Sequence, residues 1–337
     1  MPTLLFLIRL FYIIIIAAFI IISCFKSLKI SILSYGKLGT SARFTAKNPI
    51  EAYIQSLTVP KQWFKHFYIV GSLWAAFLII DVIILRKGNK GHVAYFVQIF
   101  DSTEKYEPEY FKEPVTECIV GLIMFQVQTI RRMYECFFIE RPSVGSKMHV
   151  GLYLLGLAFY LATGLSVFIE GIGNFGILDS KDNETNLFTI RSANFLSWNI
   201  LLAMSVFMYA SYHQHILHKN LALLRLKSSS VSSQPLYSIP KGDWFDHISS
   251  AHYTAEIIIY FSLVILTKGF NLTIWLIVIW TTVCLGIVAK NYEKWGREKF
   301  GEEWPRNRWI IMPDLDDSEY RTVQIRKKIS NLPYAKS

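Results

Sequence analysis

The sequence predicts an all-α, polytopic membrane protein with about seven transmembrane helices and no Rossmann domain. Of its 337 residues, 52% are apolar and 18% are charged, whereas soluble domains contain about 45–50% apolar and about 25% charged residues. The apolar residues also form separate runs, most of them close to the roughly 20 residues that span a bilayer core. The nearest approach to a Gly-x-Gly-x-x-Gly fingerprint is Gly171-Ile172-Gly173, which excludes a Rossmann cofactor domain on pattern.

The apolar runs define the predicted membrane helices. The first run is far longer than the roughly 7–15 apolar residues of a signal peptide and no small-x-small cleavage site follows it, so we expect an uncleaved helix. The sixth run is short, and extending it upstream to Tyr253 or earlier would carry Glu256 into the membrane. The runs are Leu4–Cys24, Phe67–Leu85, Val115–Ile139, His149–Ile169, Ala193–Leu217, Ala255–Thr267 and Leu272–Ala289.

The distribution of Lys and Arg predicts the orientation in the membrane. The loop after the first helix has many basic residues against one acid, Glu51, which is typical of the cytosolic side. The N-terminus is then expected in the lumen and the C-terminus in the cytosol. This orientation places the glycosylation sequence Asn183-Glu184-Thr185 in the lumen. A second such sequence, Asn271-Leu272-Thr273, lies too close to the membrane for use. The basic residues are Lys26, Lys29, Lys37, Arg43, Lys47, Lys61 and Lys65.

We divide the chain into four regions. Residues 1–65 hold the first transmembrane helix and the basic cytosolic loop, and residues 66–217 hold helices two to five. Residues 218–313 form the C-terminal region with the last two transmembrane helices, which is the expected cofactor-binding region. Residues 314–337 form a polar tail to which we assign no role.

The cysteine and histidine patterns do not predict a metal site. The four cysteines lie in or at the ends of apolar runs without Cys-x-x-Cys spacing, so they indicate neither disulfides nor zinc. Near the end of the fifth helix, His215 and His218 share a helical face but His213 does not, and no third ligand stands out. Hydrogen bonding to a polar ligand is favoured over metal binding. The cysteines are Cys24, Cys118, Cys136 and Cys284.

The segment Tyr237–Tyr260 is the strongest site prediction from residue types alone. Ionisable groups that enter an apolar run are costly in a bilayer and are usually kept for a ligand, a proton path or a counter-charge. Pro240 and Gly242 predict a turn that presents the following aromatic residues at the interface. The ionisable residues of the segment are Asp243, Asp246, His252 and Glu256.

Other residues can bind anions or donate protons. Arginine side chains bind phosphates, although snorkelling to the interface explains Arg131 and Arg132 equally well. On the second helix, His66 and Tyr68 are candidate proton donors, although they also fit an aromatic belt. The phosphate-binding candidates are Arg131, Arg132, Arg225, Arg297 and Arg308.

From about Tyr35 to Pro313 the chain resembles the steroid 5α-reductase family, and within it the polyprenol (polyprenal) reductase branch. Each motif is weak alone, and the ordered series is specific. The motifs are Tyr35-Gly36-Lys37, Val59-Pro60-Lys61 through Phe67-Tyr68-Ile69, Arg131-Arg132-x-Tyr-Glu-Cys, Leu223-Leu224-Arg225, Ile239-Pro240-x-Gly-Asp-Trp-Phe, Ser249-Ser250-x-His-Tyr-x-Ala-Glu-Ile and Trp304-Pro305-Arg306-Asn307-Arg308.

The resemblance implies a helical reductase of the endoplasmic reticulum membrane that uses NADPH to saturate a double bond conjugated to a carbonyl. Four positions match the cofactor-binding pattern of the family, and three stand where steroid-reducing members have Asn, Asp and Asn. The matching residues are Arg132, Arg225, Tyr237 and Glu256, and the substituted residues are Gln214, His218 and His252.

The chain departs from steroid-reducing members at the substrate carbonyl. His66 and Phe67 stand in place of a Gln-Glu pair, and Gln128 or Thr129 stands in place of a tyrosine. These departures argue against a 3-ketosteroid substrate, and His66 and Tyr68 remain the expected catalytic residues.

Hydride is a nucleophile and adds readily to a carbon–carbon double bond only when a conjugated carbonyl accepts the charge. We therefore expect polyprenal, giving dolichal in dolichol synthesis for protein N-glycosylation, as the immediate substrate. The expected cofactor is NADPH and the expected partner is a polyisoprenoid lipid, with no nucleic acid and no metal. The alternatives are a 3-oxo-steroid 5α-reductase, a very-long-chain enoyl-CoA reductase, or a membrane transporter or scaffold.

Overall fold

The structure, a computed structural model, describes residues 3–25, 28–29, 32, 49–86, 92–93, 115–140, 145–176, 196–231 and 237–312. Most of the basic loop, the Asn183 sequence and the tail 314–337 lie outside the described residues. The helices are α1 (Thr3–Cys24), α2 (Pro49–Ser56), α3 (Lys65–Arg86), α4 (Val115–Tyr134), α5 (Val150–Gly176), α6 (Trp198–Val231), α7 (Ala251–Leu266) and α8 (Leu272–Phe300).

Short elements connect the helices. A π-helical turn, Glu135–Ile139, continues α4, and 3₁₀ turns cover Lys61–Phe64, Asp243–Asp246 and Gly301–Glu303. Within the described ranges the strands are β1 (Thr58–Pro60) and β2 (Lys147–His149), an antiparallel pair in which Val59 lies opposite Met148. This pair joins the N-terminal ends of α3 and α5. The predicted all-α fold is confirmed, and the described residues form no Rossmann-like sheet.

Four stretches of the described helices are long and apolar enough to cross a membrane by length and composition. Helices α4 and α6 also come from predicted apolar runs, but polar side chains such as Arg132 and His218 make them less apolar. Helix α7 begins at Ala251, upstream of the predicted run, and contains Glu256. With 16 residues it is shorter than the roughly 20 that span a bilayer core, so the predicted spanning length is not reached. The candidate spans are Leu4–Cys24, Lys61–Ile84, Val150–Ile169 and Leu272–Glu303.

Apolar side chains on the outside of the bundle support the multi-pass membrane prediction. In water such a surface would be unfavourable, whereas lipid tails accept it. The opposite side of α1 is buried, and Tyr12 there packs edge-on against Trp280 of α8 with the ring centroids 5.5 Å apart. Large exposed apolar residues on α1 include Phe6, Ile13, Ile14, Ile20 and Ile21.

Helices α6 and α8 extend furthest beyond the apolar runs that predict them. Helix α6 continues to Val231 instead of Leu217, and α8 continues to Phe300 instead of Ala289. Hydropathy marks only the part of a helix that suits the bilayer, so it misses polar extensions that leave the membrane. Helix α8 stops at Gly301, which has φ +56°, a left-handed conformation that glycine adopts at little cost.

The segment after α8 returns to the start of α7 and fixes it by backbone hydrogen bonds. Trp309 pairs in parallel with Ile248, and its carbonyl accepts a hydrogen bond from the Ser249 amide at 2.8 Å. The Thr254 hydroxyl donates to the Ile311 carbonyl at 2.6 Å. We call residues 309–311 the C-terminal strap, and it positions the first turn of α7.

Candidate active site

A cavity of about 400 Å³ lies within the helix bundle, and its two linings come from different helices. Helices α4, α6 and α7 contribute polar side chains, among them Arg132, Gln214, His218, Arg225, His252 and Glu256. Helices α1, α5 and α8 contribute mostly apolar side chains, among them Phe19, Leu155, Phe159, Trp280, Leu285 and Val288. The cavity thus has the groups to bind a polar molecule and a long apolar molecule together.

Seven of the ten predicted site residues line this cavity. They come from four helices that are far apart in sequence, which supports the predicted grouping without establishing their roles. The seven are Tyr68, Arg132, Gln214, His218, Arg225, His252 and Glu256.

Arg132 is the centre of a buried charge cluster at the end of α4. Its side chain is 5% exposed, and it is paired with Glu135 and with Glu140, the latter at 2.8 Å. Its Nε and Nη2 atoms also donate to the Tyr68 hydroxyl oxygen at 3.2 and 3.0 Å. Because that oxygen accepts from Arg132, the hydroxyl proton of Tyr68 stays available for another acceptor.

Two histidines of α6 complete the cluster by binding Glu135. His218 Nδ1 lies 2.7 Å from one carboxylate oxygen and His215 Nδ1 lies 3.0 Å from the other. We assign the proton of His215 to Nδ1, because a carboxylate only accepts. The Nδ1 atom of His218 also lies 2.6 Å from Arg132 Nη1, a group that only donates. Arg131 also donates to Glu135. A fully partnered buried carboxylate is rigid, so the cluster holds α4 and α6 in fixed register.

Glu140, just after the π-helical turn, remains ionised in this cluster. Burial alone would raise its pKa, but the charge and hydrogen bond of Arg132, with smaller contributions from His218 and Arg225, together outweigh burial and lower the pKa from 4.5 to about 2. Glu140 and Arg132 therefore form an ion pair across the neutral pH range.

The same cluster contains a set of possible metal ligands. Carboxylate oxygens of Glu135 and Glu140 and a ring nitrogen of His218 all lie within 4.8 Å of one another. The Arg132 guanidinium contacts these same three side chains, so a positive charge already occupies the centre of the set. The arrangement is that of a charge cluster organised by arginine.

Glu256 on α7 accepts hydrogen bonds from two amide side chains. Gln214 of α6 donates to its carboxylate, and Gln128 of α4 donates to the same oxygen at 3.4 Å. Gln128 is one of the two residues that replace the family's tyrosine on this helix. Glu256 is thus fixed by α4 and α6 while it lines the cavity.

His66 lies outside the cavity lining, whereas Tyr68 belongs to it. The Nδ1 atom of His66 is 3.1 Å from the Tyr153 hydroxyl, and its ring is 5.5 Å from the ring of Trp63. Residues two positions apart on a helix point about 200° apart, so His66 and Tyr68 cannot face the same side of α3.

Arg308 and Tyr237 also lie beside the cavity lining. Arg308 donates to the Pro240 carbonyl at 2.8 Å, and burial lowers its pKa. It holds the loop before α7 in place. Tyr237 packs edge-on against Trp295 at 5.0 Å between ring centroids, and Trp295 lines the cavity. Both residues therefore support the wall of the cavity from behind.

The two aspartates that follow Gly242 fold the turn before α7. His213 of α6 lies with Nδ1 2.8 Å from the Asp243 carboxylate and stacks on Trp244 at 4.9 Å. Asp246 accepts from the Gly242 amide at 2.8 Å. Neither aspartate lines the cavity, so their charges shape this turn.

Phe67 forms part of the cavity wall where steroid-reducing members carry an acid. A Cβ atom on Gly156 of α5 would lie 2.6 Å from the Phe67 ring, so glycine is needed for this close approach. Tyr160, one turn further along α5, stacks on Phe67 with 6.4 Å between ring centroids. The wall at this position is apolar.

Several residues of the site were not predicted from the sequence to be functional. Lys61 and Lys65 line the cavity, but in the sequence they served only as evidence of orientation and, for Lys61, as part of a motif. Glu135 follows two arginines at helical spacing, a signal for an ion-pair cluster. Tyr260 lies four residues after Glu256 and therefore on the same helical face. The missed residues are Lys61, Lys65, Glu135, Glu140, Tyr160 and Tyr260.

Residues 176–315 match the family described as 3-oxo-5-alpha-steroid 4-dehydrogenase. This region is similar to the steroid 5α-reductase family. The match covers α6, α7 and α8, which carry five of the seven predicted residues that line the cavity. These five are Gln214, His218, Arg225, His252 and Glu256.

Whole-chain relatives extend the likeness over most of the chain. Polyprenal reductase of Mesocricetus auratus is 29% identical over 299 residues, which is 84% of this chain and 85% of the relative. Polyprenal reductase of Mus musculus is 27% identical over 297 residues, with the same coverage of 84% and 85%. Polyprenal reductase 1 of Oryza sativa subsp. indica is 27% identical over 291 residues, or 76% of this chain and 79% of the relative.

These likenesses confirm the predicted resemblance to the family and to its polyprenal reductase branch. Together with the apolar helices, they identify a multi-pass membrane oxidoreductase.

Proposed function

We propose that the chain is an NADPH-dependent reductase that saturates the α-isoprene double bond of polyprenal and yields dolichal. The observation that carries this proposal is the divided lining of the cavity, polar on α4, α6 and α7 and apolar on α1, α5 and α8. A polyisoprenoid reductase needs both a polar and an apolar lining, because its cofactor and the substrate aldehyde are polar while the lipid tail is apolar. The relatives named polyprenal reductase support this substrate class.

The aldehyde is the better substrate on chemical grounds. Bound NADPH supplies a hydride, which the β-carbon of a conjugated aldehyde accepts because negative charge moves to the aldehyde oxygen. A proton then adds to the α-carbon, and the aldehyde group is retained. Polyprenol is an allylic alcohol without such a carbonyl, so we expect it to react only after oxidation by another enzyme.

The polar lining fits a dinucleotide. Lys and Arg bind phosphate groups, and Lys61 and Arg225 both line the cavity. Arg132 is neutralised by Glu135 and Glu140, so we expect it to organise the site and leave the phosphates to the other cations. Glu256, Gln214, His218 and His252 offer donors and acceptors for the amide and ribose groups.

Tyr68 is the expected donor to the aldehyde oxygen. It lines the cavity, is 3% exposed, and receives two N–H groups of Arg132 on its oxygen. This orients the hydroxyl proton away from Arg132 and strengthens the hydroxyl as a donor. A preorganised donor at a developing oxyanion is worth about 3–4 kcal/mol of barrier.

The apolar lining fits the isoprenoid tail, and the site lies in a protein that spans the membrane. A tail of this kind is too apolar for a water-exposed site, so a cavity among membrane helices gives it a path from the lipid. Phe67 in the wall disfavours a 3-ketosteroid, for which the family uses an acid at this position. We place the reaction in the endoplasmic reticulum membrane, in dolichol synthesis for protein N-glycosylation.

The proposal is tested with purified protein in detergent, NADPH, and polyprenal or polyprenol offered separately. Saturation of the α-isoprene unit is followed by mass spectrometry. We expect conversion of polyprenal alone. Direct conversion of polyprenol would overturn the aldehyde mechanism, preferred reduction of a steroid enone or an enoyl-CoA would change the substrate class, and no NADPH oxidation would favour a transporter or scaffold.

Two variants test the cofactor residues in the same assay. Arg225→Ala and Glu256→Gln are expected to lose turnover and weaken NADPH binding while remaining inserted in membranes. Arg306→Ala is the matched control, because Arg306 is exposed and lies outside the cavity lining. Wild-type activity and NADPH affinity in both test variants would contradict the cofactor assignment.

A further inference from the structure

We propose that Tyr260 donates a second hydrogen bond to the substrate aldehyde oxygen, beside Tyr68. This inference rests on the proposed function and adds a catalytic residue to it. Tyr260 ends the segment that the sequence singles out, but no family motif or sequence pattern above assigns it a role.

The first support is an unused hydroxyl in the wall of the cavity. Tyr260 is 2% exposed and lines the cavity, yet its hydroxyl has no hydrogen-bond partner among the residues that the structure describes. Buried tyrosine hydroxyls are normally paired, because an unmade hydrogen bond costs the desolvation of the group. A bound ligand that accepts a hydrogen bond would satisfy Tyr260.

The second support is the place of Tyr260 on α7. His252, Glu256 and Tyr260 follow at spacings of four residues, so they lie along one helical face, and all three line the cavity. The ring of Phe159, part of the apolar lining, packs edge-on against Tyr260 at 5.4 Å between centroids. Tyr260 therefore lies where the polar stripe of α7 meets the apolar wall.

That boundary is where the head of a polyisoprenoid aldehyde has to lie. Its tail needs the apolar wall, whereas its oxygen must be near the polar residues that bind the cofactor. Tyr68 and Tyr260 both line the cavity, as does Tyr160, whose ring packs edge-on against that of Tyr68 with 5.3 Å between centroids. Tyr160 is close enough to affect Tyr260 electrostatically, but the Tyr260 hydroxyl does not meet the distance and angle of a hydrogen bond with any described residue.

The role of Tyr260 is hydrogen-bond donation without proton transfer. As the β-carbon gains a hydride, the aldehyde oxygen gains negative charge, and two neutral hydroxyls stabilise it more than one does. The donor is fixed in a dry pocket, so little reorganisation is required during the reaction.

The test compares Tyr260→Phe with wild type and with Tyr12→Phe. Tyr12 is a matched control, since it is also buried but its hydroxyl contacts Ser166 at 3.0 Å outside the cavity lining. We expect kcat for polyprenal to fall about 100-fold in Tyr260→Phe, with unchanged NADPH affinity. Thermal stability should be equal or higher, because the lost hydroxyl has no partner.

A second readout is independent of turnover. Polyprenal isotopically labelled at the aldehyde carbon is bound with NADP⁺, and its carbonyl stretching band is recorded in the infrared. Loss of a hydrogen bond moves this band to higher frequency in Tyr260→Phe and leaves it in place in Tyr12→Phe.

The outcomes separate this inference from the proposed function. If wild type reduces polyprenal and Tyr260→Phe has the same kcat and the same carbonyl band, Tyr260 is not a donor and the proposed function stands. If wild type neither binds nor reduces polyprenal, the proposed function fails and the assignment of Tyr260 fails with it.

Discussion

Arg132 illustrates how a buried cation differs from a phosphate-binding one. Its guanidinium contacts Glu135, Glu140 and Tyr68, so its charge is neutralised within the protein. Removing one partner of such a pair leaves an uncompensated buried charge, which is strongly destabilising. We therefore expect substitutions of Arg132 to disturb the fold of the site as well as its chemistry.

The ion pair of Glu140 predicts a pH-dependent contribution to stability. Because its pKa is lowered from 4.5 to about 2, the contribution is complete above pH 4.5 and is lost as pH falls through about 2. A quarter of the side chain is exposed, so we expect Glu140→Gln to cost about 2 kcal/mol at pH 7. Thermal unfolding in detergent from pH 7 to pH 3 measures this difference.

The matched control for this series is Glu302→Gln, since Glu302 is exposed. It should match wild type throughout. A deficit in Glu140→Gln that stays constant down to pH 3 would contradict the ion-pair explanation.

At the scale of residues, the sequence indicated which ionisable side chains are candidate site residues, but it predicted only in part which of them face the cavity. Glu256 and Arg132 stand out because ionisable groups in apolar runs are costly. Whether His66 or Tyr68 faces the cavity depends on the rotation of α3 about its axis. The sequence does not specify this rotation, because aromatic residues occur on several sides of the first turns of α3. Arg308 belongs to a family motif, and only the fold places it against the Pro240 carbonyl.

At the scale of elements, the contact of α3 with α5 depends on the absence of a side chain at Gly156. The Phe67 ring occupies the space of a Cβ atom on Gly156. We expect Gly156→Ala to push the ring aside and destabilise the protein by about 1–3 kcal/mol. Thermal unfolding in detergent measures the effect, and turnover should fall too because Phe67 lines the cavity.

Gly286→Ala on α8 is the control for that prediction. A Cβ atom there meets nothing within 4 Å, and alanine favours a helix over glycine by about 0.5–1 kcal/mol. The control should be neutral or stabilising. Equal destabilisation by both substitutions would show that packing against Phe67 is not the cause.

Element boundaries were predictable only where composition changes sharply. Helix α1 ends at Cys24, as its apolar run predicts. The start of α7 lies at Ala251, four residues before the apolar run, and the C-terminal strap helps to fix it there through Thr254. Such a contact between distant segments leaves no periodic pattern in the sequence.

At the scale of the whole molecule, the orientation in the membrane stays a prediction with a direct test. With the N-terminus in the lumen, Asn183 is lumenal and should carry a glycan. Treatment with an endoglycosidase should shift the wild-type protein on a gel, and Asn183→Gln should abolish the shift. Asn183 lies outside the described residues, so this prediction depends on charge distribution and sequence alone.

Asn271→Asp provides the control for the glycosylation test. The Asn271 side chain is 5% exposed and accepts from the Ile274 amide at 3.0 Å, capping α8, and aspartate keeps an acceptor oxygen for this bond. The shift should therefore persist in Asn271→Asp. A wild-type protein without any shift would contradict the predicted orientation.

The positions of seven described helices could be predicted from apolar runs, because bilayer thickness sets the length of such runs, and four described stretches qualify as membrane spans by length and composition. The division of the cavity into a polar and an apolar lining could not be predicted from the sequence. It arises because α7 packs against both α6 and α8, so that its polar stripe faces polar residues of α6 on one side and the apolar face of α8 on the other.

The C-terminal strap also sets the order in which the site can be completed during synthesis. Trp309 follows every described helix in the chain, and it pairs with the segment that positions α7. A growing chain can therefore insert its helices into the membrane before that last contact exists. Assembly of the complete cavity is thereby delayed until Trp309 has been translated. A nascent chain that stops before Trp309 would insert into the membrane without a complete active site.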